Sequence, residues 1–139
     1  VAEEVITQSA EETIAWGREF SKRLRAPVLV LLSGELGSGK TTVTKGIVAG
    51  LNAATEDEVT SPTFTLLHEY GKGGDVFHGD LYRIESFADF ETLGVEDIFA
   101  RPAVVILEWS EKFPLKTPWP EIRVRLEHLG GDARRIAVL

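Results

Sequence analysis

Apolar positions change period along the chain, and each change marks an element. Residues 10–24 carry Ala10, Ile14, Gly17, Ser21 and Leu24 at helical intervals, with Phe20 beside them. Ser9 precedes them and Glu12 follows three residues later, the spacing of a capping box. A helix is expected over about 10–24. "APVLVLLSG" (26–34) is a continuous apolar run from Pro27 to Gly34 and predicts a buried strand. Helical spacing resumes over 39–51, with Val43, Ile47, Val48 and Leu51 on the inner face. "TFTLLHEY" and "GDVFHGDLYRI" predict two strands joined by "GKGG" (71–74). "SFADFETLG" (86–94) predicts a helix capped by Ser86, with Asp89 at its third position and Gly94 as its stop.

The rest of the chain is strand and loop. "AVVILEW" (103–109) is a second buried strand, and "PLKTPWP" (114–120) holds three prolines and is read as loop. "EIRVRLEHL" and "ARRIAVL" alternate in polarity around "GGD", which predicts a closing hairpin. This order predicts one α/β domain over residues 1–139, a mixed sheet flanked by helices with antiparallel hairpins. With 139 residues there is chain enough for a sizeable core.

Composition narrows the function classes. There are no cysteines, which removes disulfides and thiolate metal sites and fits a cytoplasmic address. The apolar runs are too short to span a bilayer and no signal-peptide pattern precedes them, so no membrane association is expected. A formal charge of −7 argues against the chain gripping nucleic acid alone, since phosphate contacts need clustered Lys and Arg. His68, His78 and His128 lack metal-ligand spacing, and none is read as a ligand.

The chemistry sits between the first buried strand and the second helix. "GELGSGKT" (34–41) matches G-x-x-x-x-G-K-[ST] through Gly34, Gly39, Lys40 and Thr41. A random chain of this length would hold that pattern about once in a few hundred cases, and the strand before it and helix after it make chance rarer still. Glycines let the backbone wrap an anion, successive N–H groups point inward, and the helix N-terminus adds partial positive charge. Gly34, Glu35, Leu36, Gly37, Ser38, Gly39, Lys40, Thr41 and Thr42 are therefore expected to hold the phosphates of a nucleotide. Lys40 supplies a full charge at the β- and γ-phosphates, and the Thr41 hydroxyl a ligand for Mg²⁺. A second metal anchor in this architecture is an acid ending an apolar strand. Glu108 after "AVVIL" is the stronger candidate, and Asp80 after "DVFHG" the other. The guanine clamp N/T-K-x-D has no counterpart outside Thr44–Lys45, which lies inside the P-loop helix, so ATP is favoured over GTP.

"GELGSGKTT", "TSPTFTLLHEY", "HGDLYRI", "LGVEDIF" and "VVILEWSEKFP" follow one another as in TsaE (also called YjeE) proteins, which the chain resembles over about residues 7–127. The resemblance implies a P-loop NTPase-like fold and an ATPase of the tRNA N6-threonylcarbamoyladenosine (t6A) pathway. It implies TsaB and TsaD as partners, with tRNA met only indirectly through that complex. It carries nucleotide binding onto residues 34–42, a switch onto Ser61, Pro62 and Thr63, and important acids onto Asp80 and Glu108. Glu35 stands where many members have Asp.

Chemistry gives those residues a sense. Pro62 stiffens a turn whose hydroxyls are placed to meet a γ-phosphate or its metal, or forms an ordinary Ser-Pro turn. Asp80 is the candidate to orient an attacking water. Arg83 is a candidate for phosphate or a partner for Glu85, and Trp109 walls the site or packs at a strand end. No arginine stands out as a finger in cis, and Arg123, Arg125, Arg134 and Arg135 fall on the closing hairpin, so slow intrinsic hydrolysis completed by partners is expected. Two other readings fit a P-loop: a small-molecule kinase, and an ATP-sensing scaffold that does not hydrolyse.

Overall fold

The computed structural model describes residues 3–35, 37–60, 67–71, 75–81, 84, 86, 88–89, 95–108 and 118–139. Its centre is a seven-stranded mixed sheet in the order β1-β7-β6-β2-β5-β4-β3. The strands are β1 (Glu3–Thr7), β2 (Val28–Ser33), β3 (Leu67–Tyr70), β4 (Val76–Asp80), β5 (Val104–Glu108), β6 (Glu121–Gly130) and β7 (Ala133–Val138). The helices are α1 (Ala10–Phe20), α2 (Lys40–Gly50) and the short α3 (Val95–Ile98). β6, β2, β5 and β4 run parallel, while β3, β7 and β1 add antiparallel edges.

Burial explains the parallel centre. β2 is apolar on both faces because both are covered. Val28, Val30 and Leu32 join Val104, Ile106, Val124, Leu126 and Ile136 under α1 and α2. Leu29 and Leu31 pack with Phe77, Val105, Leu107 and Ile98 on the opposite side. β6, between β2 and β7, is buried on one side only and alternates, as a half-covered strand must.

The first helix is shorter than its pattern suggested. α1 ends at Phe20 and tightens into a 3₁₀ turn over Ser21–Arg23, where the Ser21 hydroxyl donates to the Arg18 carbonyl at 2.6 Å. Ser9 Oγ accepts the Glu12 N–H at 3.1 Å, the first half of the capping box, while Glu12 Oε2 reaches past the cap to accept the Gln8 N–H at 3.1 Å. The inner face is Thr13, Gly17 and Phe20 rather than one starting at Ala10, because Thr13 turns inward to share a 2.7 Å hydrogen bond with Thr7 of β1. α1 crosses α2 at two glycines. A Cβ on Gly17 would stand 2.5 Å from the Val43 carbonyl oxygen, and one on Gly46 would strike the Ile14 carbonyl. Only hydrogen fits at that crossing.

Two elements have no counterpart in the sequence reading. β1 pairs with β7 through Val5↔Ile136, but its own alternation is weak and most of it is exposed. α3 is a single turn. The closing hairpin forms as expected, with a register shift between His128 and Gly130. Gly130 (φ +116°) and Gly131 (φ +55°) supply its left-handed turn. Of the expected 86–94 helix, the Ser86 cap is described and accepts the Asp89 N–H at 3.1 Å; residues 87 and 90–94 lie outside the described residues.

Candidate functional site

The loop from β2 to α2 owes its shape to its glycines. Gly34, Gly37 and Gly39 have φ of +145°, +79° and +105°. A Cβ on Gly34 would also collide with the Leu126 carbonyl and the Ser38 side chain. Ser38 N–H donates to the Glu35 carbonyl at 3.0 Å and closes the turn. Lys40 folds back beneath it, and its Nζ donates to the carbonyls of Gly34 (2.7 Å) and Glu35 (2.9 Å) and to Ser38 Oγ (3.3 Å). Lys40 is only 4% exposed. In α2 the Val43 N–H bonds the Gly39 carbonyl, so the N–H groups of Lys40, Thr41 and Thr42 stand ahead of the helical ladder. Gly39 offers no side-chain cap. The result is a concave run of amides with a buried cation, a surface complementary to an anion.

β2, β5 and β4 bring the acids to this loop. Strand alternation sends Val104, Ile106 and Glu108 to the face that carries α2, along with Val76, His78 and Asp80. Asp80 and Glu108 lie opposite each other in the parallel register. Both are buried, at 8% and 3% exposure. Thr41 Oγ1 donates to Glu108 Oε2 at 3.3 Å, closing the distance between residues 67 apart in sequence. A hydroxyl beside a carboxylate suits Mg²⁺, which takes few protein ligands and completes its shell with water and phosphate oxygens. No cage of three or more acids or histidines occurs among the described residues.

Two neighbours escaped the sequence reading. His78 is fully buried and its Nε2 bonds Glu108 Oε2. Spacing for metal ligands was the wrong question; strand period places His78 on the same face as Asp80, two residues away. Arg134 is the other. Expected merely on the closing hairpin, it lies against the loop, its Nε 3.5 Å from where a Gly39 Cβ would be. Its guanidinium donates to the carbonyls of Gly131 (2.8 Å) and Ala133 (2.9 Å), which hold it there. With Ala10, Thr13, Thr42 and Asp132 it lines a dent of about 30 Å³. A larger groove of about 640 Å³ meets the loop at Gly34 and Glu35 and follows Arg125, Glu127 and Arg135.

The structure thus brings Gly34, Glu35, Gly37, Ser38, Gly39, Lys40, Thr41, Thr42, Asp80 and Glu108 to one end of the sheet. Leu36, Ser61, Pro62, Thr63, Arg83 and Trp109 lie outside the described residues.

A family model described as "Threonylcarbamoyl adenosine biosynthesis protein TsaE" matches residues 7–136. The chain belongs to the TsaE family. It is 34% identical over 133 residues to the tRNA threonylcarbamoyladenosine biosynthesis protein TsaE of Treponema pallidum, covering 96% of this chain and 97% of that one. To the TsaE of Streptomyces coelicolor it is 38% identical over 120 residues, covering 84% and 79%. In structure it resembles Bacillus subtilis YdiB, with a TM-score of 0.70 and 28% identity over 99% of this chain and 84% of that one. This TsaE protein therefore has the P-loop NTPase-like mixed sheet and works in t6A biosynthesis. None of its described helices is long and apolar enough to cross a membrane.

Proposed function

We propose that this TsaE protein is a Mg²⁺-dependent ATPase whose cycle serves the TsaB–TsaD pair during t6A formation. One observation carries the reading: the Thr41 hydroxyl, directly after the loop lysine, bonds the carboxylate that ends β5. Two groups meet here that a nucleotide-bound magnesium requires. Mg²⁺, when bound, supplies charge neutralisation at the phosphates. The residues do the rest. Gly34–Thr42 cradle the phosphates, with Lys40 as the cation. Thr41 and Glu108 hold the metal side, and Asp80 orients water. Arg134 approaches the loop at Gly39 from the hairpin.

Partner dependence follows from what surrounds the loop. Arg134 is held to its own hairpin turn by two carbonyls, so it is a binding side chain rather than a mobile finger. A charge that arrives only with the partners would raise turnover by about 10³–10⁵. The switch expected at Ser61, Pro62 and Thr63 would relay nucleotide state to them.

Steady-state ATP hydrolysis, measured alone, with Mg²⁺ replaced by EDTA, and with TsaB and TsaD added, tests this. Slow Mg²⁺-dependent turnover that rises sharply with the pair is expected. Absence of ATP binding, or a fast rate indifferent to the pair, would refute it.

A further inference from the structure

His78 is buried beside the metal-side acid, and no step described so far uses it. Its place follows from strand geometry. In the β4–β5 register His78 faces Ile106, which puts Glu108 on the diagonal of the same sheet face. The ring is fully buried, Nε2 bonds Glu108 Oε2, and Nδ1 has no hydrogen-bond partner among the described residues. A proton on Nδ1 would be a buried donor with nowhere to go, so the network assigns the hydrogen to Nε2 and leaves Nδ1 bare. Glu108 Oε2 then accepts from both His78 and Thr41, while no described residue bonds Oε1. His68 closes the other side of the imidazole edge-on, with ring centroids 6.5 Å apart, and shares a 3.1 Å hydrogen bond with the Tyr70 hydroxyl.

We propose that His78 is a positioning residue for the metal side of the site. Its Nε2–H holds the Glu108 carboxylate by one oxygen, within reach of Thr41, and leaves the other oxygen to the magnesium shell. The inference rests on the metal role proposed for Glu108. Side chains that orient a metal carboxylate through a hydrogen bond set metal affinity by about tenfold to a hundredfold. A purely structural histidine would weaken folding and spare the metal requirement.

The test is ADP binding by calorimetry, in EDTA and across a MgCl₂ series. His78→Phe should raise the Mg²⁺ concentration for half-maximal tightening about tenfold, with affinity in EDTA unchanged. His78→Gln places an amide N–H near the position of Nε2 and should recover most of the loss. A His78→Phe protein with the wild-type Mg²⁺ requirement would overturn the proposal. So would equal losses with and without metal, or a Gln variant as defective as Phe. If His78→Phe does not fold, the wild-type protein decides: the ¹⁵N resonance of His78 Nε2 in the ADP complex should move on adding MgCl₂, and a resonance that stays put refutes the idea. Glu108→Gln separates the two readings. An unchanged Mg²⁺ requirement there removes the metal role of Glu108 and this inference with it; a raised one beside a normal His78→Phe protein removes this inference alone.

Discussion

At the scale of single residues, the loop depends on one ammonium and one missing Cβ. Lys40 ties Gly34, Glu35 and Ser38 together while presenting the loop's full positive charge. Hydrogen bonds to charged groups contribute about 1.5–3 kcal/mol each. Lys40→Ala should weaken ATP binding at least tenfold in a fluorescence titration. Gly34 has a different role. Its φ of +145° and the closeness of the Leu126 carbonyl leave no room for a side chain. Gly34→Ala should lower the melting temperature and weaken ATP binding together, whereas Lys40→Ala should affect binding more than melting. The motif made these residues legible because the turn they form is local: eight consecutive residues contain nearly all of it. Arg134 was not legible, because it reaches the loop from a hairpin far away in sequence; for His78 only the shared strand face with Asp80 gave a signal.

At the scale of elements, the α1–α2 crossing and the β3 edge are the sensitive parts. Gly46 meets the Ile14 carbonyl and Gly17, so α2 sits at a depth that only glycine permits. Gly46→Ala forces the helices apart; overpacking of this kind costs about 1–3 kcal/mol, and the guanidinium unfolding midpoint should fall accordingly. α2 carries Thr41, so the same variant should loosen Mg²⁺-dependent nucleotide binding. On β3, burial holds the His68 pKa below the ordinary histidine value. The folded protein therefore binds fewer protons at His68 than the unfolded chain. Stability from this group is complete above the ordinary value of about 6.5 and declines as the pH falls below it. Urea unfolding at pH 7.5 and 5.5 should show the loss, and His68→Gln should reduce it. Helix spacing and strand runs announced these elements. The weak alternation of β1 did not, since its stability comes from pairing with β7 rather than from its own residues.

At the scale of the whole molecule, ligand binding and folding are linked. A ligand bound only by the native state at a hundred times its dissociation constant adds about 2.7 kcal/mol. Mg²⁺ with ATP should raise the melting temperature by several degrees, and Lys40→Ala should abolish most of that rise. A thermal shift series at fixed ATP with Mg²⁺ or EDTA reads it directly. The loop, β5 and the closing hairpin all move to one end of the sheet because β2 lies between β5 and β6. That placement makes one binding event stabilise elements spread from Gly34 to Arg134.

Local chemistry decided part of this protein without help from its fold. Apolar runs announced β2 and β5, helical spacing announced α1 and α2, and the glycines announced the tight turn between β2 and α2, because each acts within a few residues. Glu108 was legible too, as an acid ending a buried strand. Only the tertiary structure decided strand order, the seating of β1 on β7, the imidazole of His78 on the Glu108 carboxylate, and the approach of Arg134 to Gly39. The reason is physical. Strand neighbours are chosen by burying side chains from distant segments together, and no short stretch of sequence carries the identity of its partner.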